Sequence, residues 1–346
     1  MTMTTPEGAT RRSVRGGTMK AITQDRYGSP DVLLLSEVDR PAPADDQVLV
    51  RVRAATVNAR DWHVMRGDPY LARLMPGAMG LRGPRARIRG TDFAGVVEAV
   101  GARVTRFRPG DEVYGEADGA FAEYVCAPHD VVEHKPANLT FEQAAALPLA
   151  ANTALMGLRD QGRVRPGQRV LVNGASGGVG TFAVQLGKWL GAEVTAVCGT
   201  RNVELVASLG ADHVIDYNQD DFTRDTGRYD VVFDLVGNHS LTALRRTLKT
   251  GGTLVLSGGG VSTGGSLFGP LGLIVRAKLA AAFIRRHRVL VLDAWPDREN
   301  LATLAELAQA GTLVPVIDRT YGLGEVPDAI RYVEDEHARA KVVITV

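Results

Sequence analysis

Two kinds of hydrophobic patterning divide this chain. From Met19 to about Pro136 the apolar residues come in short runs broken by Gly, Pro and Asp. VLVRVRA closes the stretch Gln47–Ala54 with period two. DFAGVVEAV occupies 92–100, Glu112–Tyr114 follows the turn Arg108–Pro109–Gly110–Asp111, and AFAEYVCA covers 120–127. Period two sends successive side chains to opposite faces of a strand, and many short strands with turn signals between them predict a small, irregular β-barrel. No stretch of helical period and useful length is expected before Phe141.

After Thr140 the pattern changes. Phe141–Ala146 reads as a helix with Thr140 as its N-cap, Pro148 interrupts, and Thr153–Gln161 resumes a helical pattern. Strands and helices then alternate: RVLVN (169–173), a helix to about Leu190, EVTAV (193–197), a helix through Leu209, HVIDY (213–217), DVVFDLV (230–236), a helix over Ser240–Lys249, and GTLVLSG (252–258). Strands separated by helices of this length need crossover connections, which predicts an α/β fold with a doubly wound parallel sheet. The tail adds a strand at Arg288–Leu292, a helix over Asn300–Ala310, the stretch Leu313–Asp318, a short helix near Val326–Glu334 and a strand at Lys341–Val346. Its last strands resemble the early ones, so the C-terminus is expected to complete the first domain. The expected division is 1–18 as a disordered extension, 19–145 with 311–346 as the barrel domain, and 146–310 as the doubly wound domain.

Composition narrows the function classes. A formal net charge of +1 gives no overall field for nucleic acid or an anionic membrane. Local arginine clusters at 82–89 and 285–288 read as solvated loop or helix faces. Two cysteines, Cys126 and Cys198, exclude a disulfide framework and a multi-cysteine zinc site. They suit a reducing compartment, and a cytoplasmic location is expected. The apolar stretch Leu267–Ile284 holds Arg276 and Lys278 near its centre, which argues against a membrane span.

The chemistry concentrates at VLVNGASGGVG (170–180), where Gly174, Gly177, Gly178 and Gly180 lie between an apolar strand and a helix. A pyrophosphate approaching the amides of a helix N-terminus needs this absence of Cβ atoms. Strand, loop, helix and next strand all occur in order, which is the context of a dinucleotide site. At the end of that next strand an NAD site usually places a carboxylate for the ribose 2′-hydroxyl. Here Cys198, Gly199, Thr200 and Arg201 stand instead. Thr200 and Arg201 can donate to a 2′-phosphate, which favours NADPH; the alternative for Arg201 is that it starts a helix and faces water.

GTDFAGVVEAVG (90–101), NGASGGVG (173–180), LGADHVIDY (209–217) and HARAKVVI (337–344) together resemble the quinone oxidoreductase branch of the medium-chain dehydrogenase/reductases. VNARDWHVMRGDPY (57–70) and CGTRNVELV (198–206) resemble in particular the reticulon-4-interacting-protein-like oxidoreductases. The likeness runs from about Met19 to Val346. It implies a GroES-like barrel joined to a Rossmann domain, with the active site in the cleft between them. By the same resemblance, Ser176, Gly178 and Val179 match pyrophosphate contacts, Tyr217 and Arg339 match positions around the adenosine phosphate, and Thr153 matches a residue near the nicotinamide. In the zinc-dependent branch a Cys, a His–Glu pair and a later ligand surround the metal; here Asn58, Thr91–Asp92 and Leu149 stand at those positions, and no metal is expected.

Without a Lewis acid, a simple ketone is a poor hydride acceptor, whereas a quinone or α,β-unsaturated carbonyl spreads the incoming charge. Hydride transfer from NADPH to such a small conjugated acceptor is therefore the expected activity. Asn58 is a candidate to hydrogen-bond the acceptor oxygen, and Tyr70 to donate a proton or stack on a flat substrate. His63 lies nearby in sequence. The rival readings are a trans-2-enoyl thioester reductase and a non-catalytic NADPH-binding regulator. The loop Gly258–Gly265 is expected to wall the cleft. Arg288–Leu292 is expected to be a sheet edge on which a homodimer pairs.

Overall fold

A computed structural model describes residues 17–74, 79–257, 277, 286–335 and 338–346. The loop Gly258–Gly265, most of the apolar stretch 267–284 and nearly all of the N-terminal extension lie outside them.

Six parallel strands form one sheet in the order His213–Asp216, Glu193–Cys198, Arg169–Asn173, Tyr229–Asp234, Leu248–Leu256 and Arg288–Val291. In chain order this is 3-2-1-4-5-6, the doubly wound Rossmann arrangement, whose ligand crevice opens where the order reverses. Burial explains the apolar runs. Val170 and Val172 of RVLVN join one core cluster while Leu171 joins the cluster on the other face, so the strand is apolar on both sides, as a sheet covered by helices requires. Full burial of such a side chain contributes about 1.5–3 kcal/mol. Arg288–Val291 is the terminal strand of this sheet among the described residues.

A second sheet runs Ile317–Gly322, Lys341–Thr345, Gln47–Val57, Asp92–Val100, Glu112–Glu116 and Val132–His134, with Tyr124–Pro128 also pairing onto Gln47–Val57. The C-terminal strand Lys341–Thr345 thus lies antiparallel beside Gln47–Val57. Gln47–Val57 is buried over Val48–Val50, alternates through Arg51, Val52 and Arg53, and is buried throughout from Ala54 onward. That end enters the junction between the two sheets, where Ala54, Ala94 and Tyr114 belong to the same core cluster as Val170 and Phe182. There the Tyr114 hydroxyl donates to the Leu301 carbonyl at 2.6 Å.

One element departs from the expectation of no early helix. Ala59–Arg66 is helical, started by a capping box in which the Asn58 amide donates to the Asp61 carboxylate at 2.8 Å. Its sequence, ARDWHVMR, buries Asp61 along with Val64 and Met65, so polarity hides the period. The helix Pro148–Leu155 starts on the residue expected to interrupt it, because proline fits a first helical position. It then widens into a π turn over Met156–Gln161.

Candidate active site

Between the two sheets lies a cleft of about 1150 Å³. Its floor on the parallel-sheet side is the glycine loop. Gly174 adopts φ +87°, a left-handed conformation that glycine alone enters without strain. A Cβ on Gly180 would lie 2.1 Å from the Gly174 carbonyl oxygen, so the first turn of helix Gly178–Trp189 packs directly on the loop. Gly177 caps that helix without a side-chain hydrogen bond. The amides of the first turn have no intrahelical partner and point, with the positive end of the dipole, at the cleft. Ser176 is held from both sides: its hydroxyl accepts from Asn202 at 3.1 Å and its carbonyl accepts from the Ala340 amide at 2.7 Å. Asn173 donates to Asp234 at 2.8 Å and fixes the strand end beneath. The loop therefore fits a dinucleotide pyrophosphate.

Gly174, Ser176, Gly177, Gly178, Val179, Gly180, Gly199, Thr200, Arg201 and Tyr217 all line this one cleft. The far end differs from the sequence reading in one respect. Thr200 donates its hydroxyl to Asp216 at 2.6 Å, so a carboxylate from the third strand does sit beside the proposed 2′-phosphate position. Local sequence around 198–201 could not show it. Arg201 also faces a smaller hollow of about 270 Å³ lined by Asp318, Arg319, Tyr332 and Arg339. Arg339 donates there to Asp318 at 3.0 Å. Among the described residues, its lining brings three guanidinium groups and one carboxylate together.

Besides Arg339, which lines the smaller hollow, two sequence candidates fall outside the cleft lining. Thr153 is buried and donates to the Leu149 carbonyl at 2.6 Å. Tyr70 is 43% exposed, its ring covered by the Arg73 guanidinium at 4.5 Å.

The wall opposite the glycine loop is polar and buried. Asn58 is on it, but both ends of its side-chain amide are engaged: Oδ1 accepts from Lys341 Nζ at 2.6 Å and Nδ2 donates to Asp92 at 3.0 Å. The second N–H of the amide faces the Thr56 carbonyl at 3.5 Å, so in place of donating to an acceptor oxygen the amide holds two charged neighbours. Asp92, fully buried, also accepts from the Thr56 hydroxyl at 2.9 Å and the Leu149 amide at 3.2 Å, and stands 3.5 Å from Lys341 Nζ. Burial pushes the Asp61 carboxyl up to about 6 and that of Glu116 up to about 8, with the Asp92 charge adding to both. Arg89 is 6% exposed near Asp61, so this member of the arginine-rich loop is not solvated as expected. His63 lines the cleft, stacked on Trp62 at 3.8 Å, and its Nδ1 donates to the Asp68 carbonyl at 3.1 Å. Burial lowers its pKa, and in the neutral ring the Nδ1 donation leaves Nε2 without a proton. Lys341 went unnoticed because it is 283 residues from Asn58, and no local pattern pairs them. Burial also pushes the Cys126 and Cys198 thiols up to about 11, away from nucleophilic use.

Among the described residues no three His, Cys, Asp or Glu side chains converge on a point that could hold a metal. At the position of the zinc ligands stand an amide, one carboxylate and an ammonium, a donor set that does not fit tetrahedral zinc.

A paired GroES-like sheet and Rossmann sheet with a dinucleotide cleft between them define a nicotinamide-dependent oxidoreductase of the medium-chain dehydrogenase/reductase type, and the chain belongs to that family. Two family models match, an alcohol dehydrogenase GroES-like domain over 44–137 and a zinc-binding dehydrogenase over 209–344. Within the family it falls in the quinone oxidoreductase branch. It is 34% identical to the mitochondrial NAD(P)H oxidoreductase RTN4IP1 of Bos taurus, covering 96% of this chain and 91% of that one. It is 33% identical to the chloroplastic NADPH-dependent alkenal/one oxidoreductase of Arabidopsis thaliana, covering 94% and 79%. The solved quinone oxidoreductase of Coxiella burnetii superposes with a TM-score of 0.79 at 32% identity, over 95% of this chain and 99% of that one. No helix among the described residues is long and apolar enough to cross a membrane.

Proposed function

We propose that this protein is a zinc-independent, NADPH-dependent oxidoreductase that reduces a quinone or an α,β-unsaturated carbonyl in the cleft between its two domains, 19–145 with 311–346 and 146–310. The observation that carries the reading is the cleft itself. One wall is a glycine loop shaped for a pyrophosphate, and the other offers a buried ammonium, an amide and a carboxylate where zinc donors would stand. Names of relatives that act on quinones and on alkenals or alkenones support the acceptor class.

The cofactor, when bound, supplies hydride. Ser176 to Gly180 would hold its pyrophosphate at the helix N-terminus. Gly199, Thr200, Arg201 and Tyr217 would hold the adenosine end. The guanidinium groups of Arg201 and Arg339 at this hollow support a 2′-phosphate, hence NADPH over NADH, with the Asp216 carboxylate as the opposing feature. Thr153 acts from behind the wall, fixing Leu149, and Tyr70 acts at the rim. The protein's own contribution is position and exclusion of water. A homodimer pairing on Arg288–Val291 and a cytoplasmic location complete the proposal.

The test is NADPH oxidation with a quinone, a 2-alkenal and a saturated ketone of similar size. Turnover of the conjugated pair well above the saturated ketone is expected. Faster turnover of the ketone would rule out the conjugate-reduction mechanism.

A further inference from the structure

A lysine that is 2% exposed, at the floor of a cleft rather than on the surface, asks for a reason. Lysine is almost never fully buried unless it is paired, and Lys341 is fixed along its whole length. The would-be Cβ of Gly178 lies 3.2 Å from Lys341 Cδ, so the carbon stem rests on the glycine loop. The ammonium reaches across to the opposite wall, to Asn58 Oδ1 at 2.6 Å and Asp92 at 3.5 Å. Ala340, immediately before it, has φ +55°, a left-handed conformation costly for any residue with a Cβ. That strained residue is anchored by its amide to Ser176, and it turns the strand so that Lys341 enters the cleft instead of facing solvent. Lys341 is among the residues lining that cleft.

We propose that Lys341 is a catalytic residue: its ammonium donates a hydrogen bond to the acceptor oxygen that gains negative charge, in the place where a zinc-dependent relative would use metal. This rests on the reading of function above. Asn58 and Asp92 hold the ammonium in position, which leaves one of its three N–H bonds for the acceptor oxygen. The charge is pre-set, so no reorganisation is needed as the oxygen becomes anionic. For an enone, hydride adds at the β-carbon and the enolate oxygen takes the electron pair. For a quinone, one ring oxygen does so as the ring becomes a hydroquinone anion. The electrons and one hydrogen come as hydride from the reduced nicotinamide, solvent supplies the remaining proton, and Lys341 keeps its own. Burial pushes the Lys341 ammonium below its ordinary pKa while Asp92 counters this, which strengthens it as a donor.

Replacing the lysine alone would strand Asp92 as a buried unpaired charge, so the test is the double variant Lys341→Met with Asp92→Asn. A structural ion pair is expendable when both members become neutral; a catalytic cation is not. The double variant is expected to keep its melting temperature and its NADPH dissociation constant and to lose roughly 10²–10³-fold in kcat with the best conjugated acceptor. A double variant that folds, binds NADPH and retains the wild-type kcat overturns the proposal. If that double variant does not fold, Lys341→Gln with Asp92→Asn, which keeps a donor to Asn58 and leaves no unpaired charge, is read the same way: loss of kcat at unchanged NADPH affinity supports the role and retained kcat overturns it. A wild-type chain that reduces no conjugated acceptor overturns the reading of function, and the role of Lys341 with it. Turnover by wild type and variant alike overturns the role of Lys341 alone.

Discussion

Two glycines three residues apart in the same loop should respond in opposite ways to one added methyl group. At Gly180 a Cβ would meet the Gly174 oxygen at 2.1 Å and Ala175 backbone carbon at 2.7 Å. Both are backbone atoms that cannot swing aside, so Gly180→Ala must push helix Gly178–Trp189 off the sheet. Overpacking costs about 1–3 kcal/mol, occasionally more, and each kcal/mol lowers Tm by roughly 2–4 °C in chains of 150–250 residues, somewhat less in a longer one. At Gly177 the nearest atom to a new Cβ is the Gly174 oxygen at 3.5 Å, an ordinary contact. The backbone there, at φ −80° and ψ 177°, is open to any residue. The weaker N-cap is offset by about 0.4–1 kcal/mol from the stiffer unfolded chain, so Tm should hardly move. Any cost of Gly177→Ala must then come from a ligand seated against the amides. Losing a hydrogen bond to a charged group costs about 1.5–3 kcal/mol, which at about 1.4 kcal/mol per decade is roughly a ten- to hundredfold weaker NADPH. Fluorescence titration with NADPH and thermal melts of both variants measure this. A Gly177→Ala protein that binds NADPH with wild-type affinity would refute the placement of the pyrophosphate on this loop.

The adenosine end and the buried acids give further tests. Arg201→Ala is expected to weaken NADPH at least tenfold more than NADH, as loss of a charge-assisted contact implies; equal losses in parallel titrations would remove its assigned role. Glu116 carries a carboxyl raised from 4.5 to about 8, first by burial and then by the Asp92 charge. With the folded pKa above the unfolded one, the native chain holds the extra proton. The stability this group contributes is full below about pH 4.5 and lost as pH rises through about 8. Glu116→Gln should therefore match wild type in acid and melt progressively higher than wild type toward alkaline pH. Melting curves that stay parallel would contradict the burial argument.

The parallel sheet was legible because its strands are buried on both faces: RVLVN and DVVFDLV are apolar runs that no half-solvated strand needs, and helices separate them at crossover spacing. The glycine loop was legible because phosphate binding by backbone amides is a local property of consecutive residues. The helix Ala59–Arg66 was not, since its buried face includes Asp61, a carboxyl that a hydropathy pattern counts as exposed. Nor was the polar wall: Asn58, Asp92 and Lys341 come from three distant strands or strand ends and meet only through sheet pairing. A lysine before an apolar run reads as a snorkelling strand end, and only the left-handed turn at Ala340, invisible in composition, brings it inside. The same limit applies to Asp216, whose bond to Thr200 depends on the pairing of Glu193–Cys198 with His213–Asp216.

The central claim is that a fixed ammonium, with no metal, faces the acceptor across a dinucleotide loop. Its most direct test is NADPH-dependent reduction of a conjugated acceptor by protein stripped with a strong chelator and checked for residual zinc by elemental analysis. Full turnover with far less than one zinc per chain is the predicted result. Activity that disappears on chelation and returns in proportion to added zinc would contradict it.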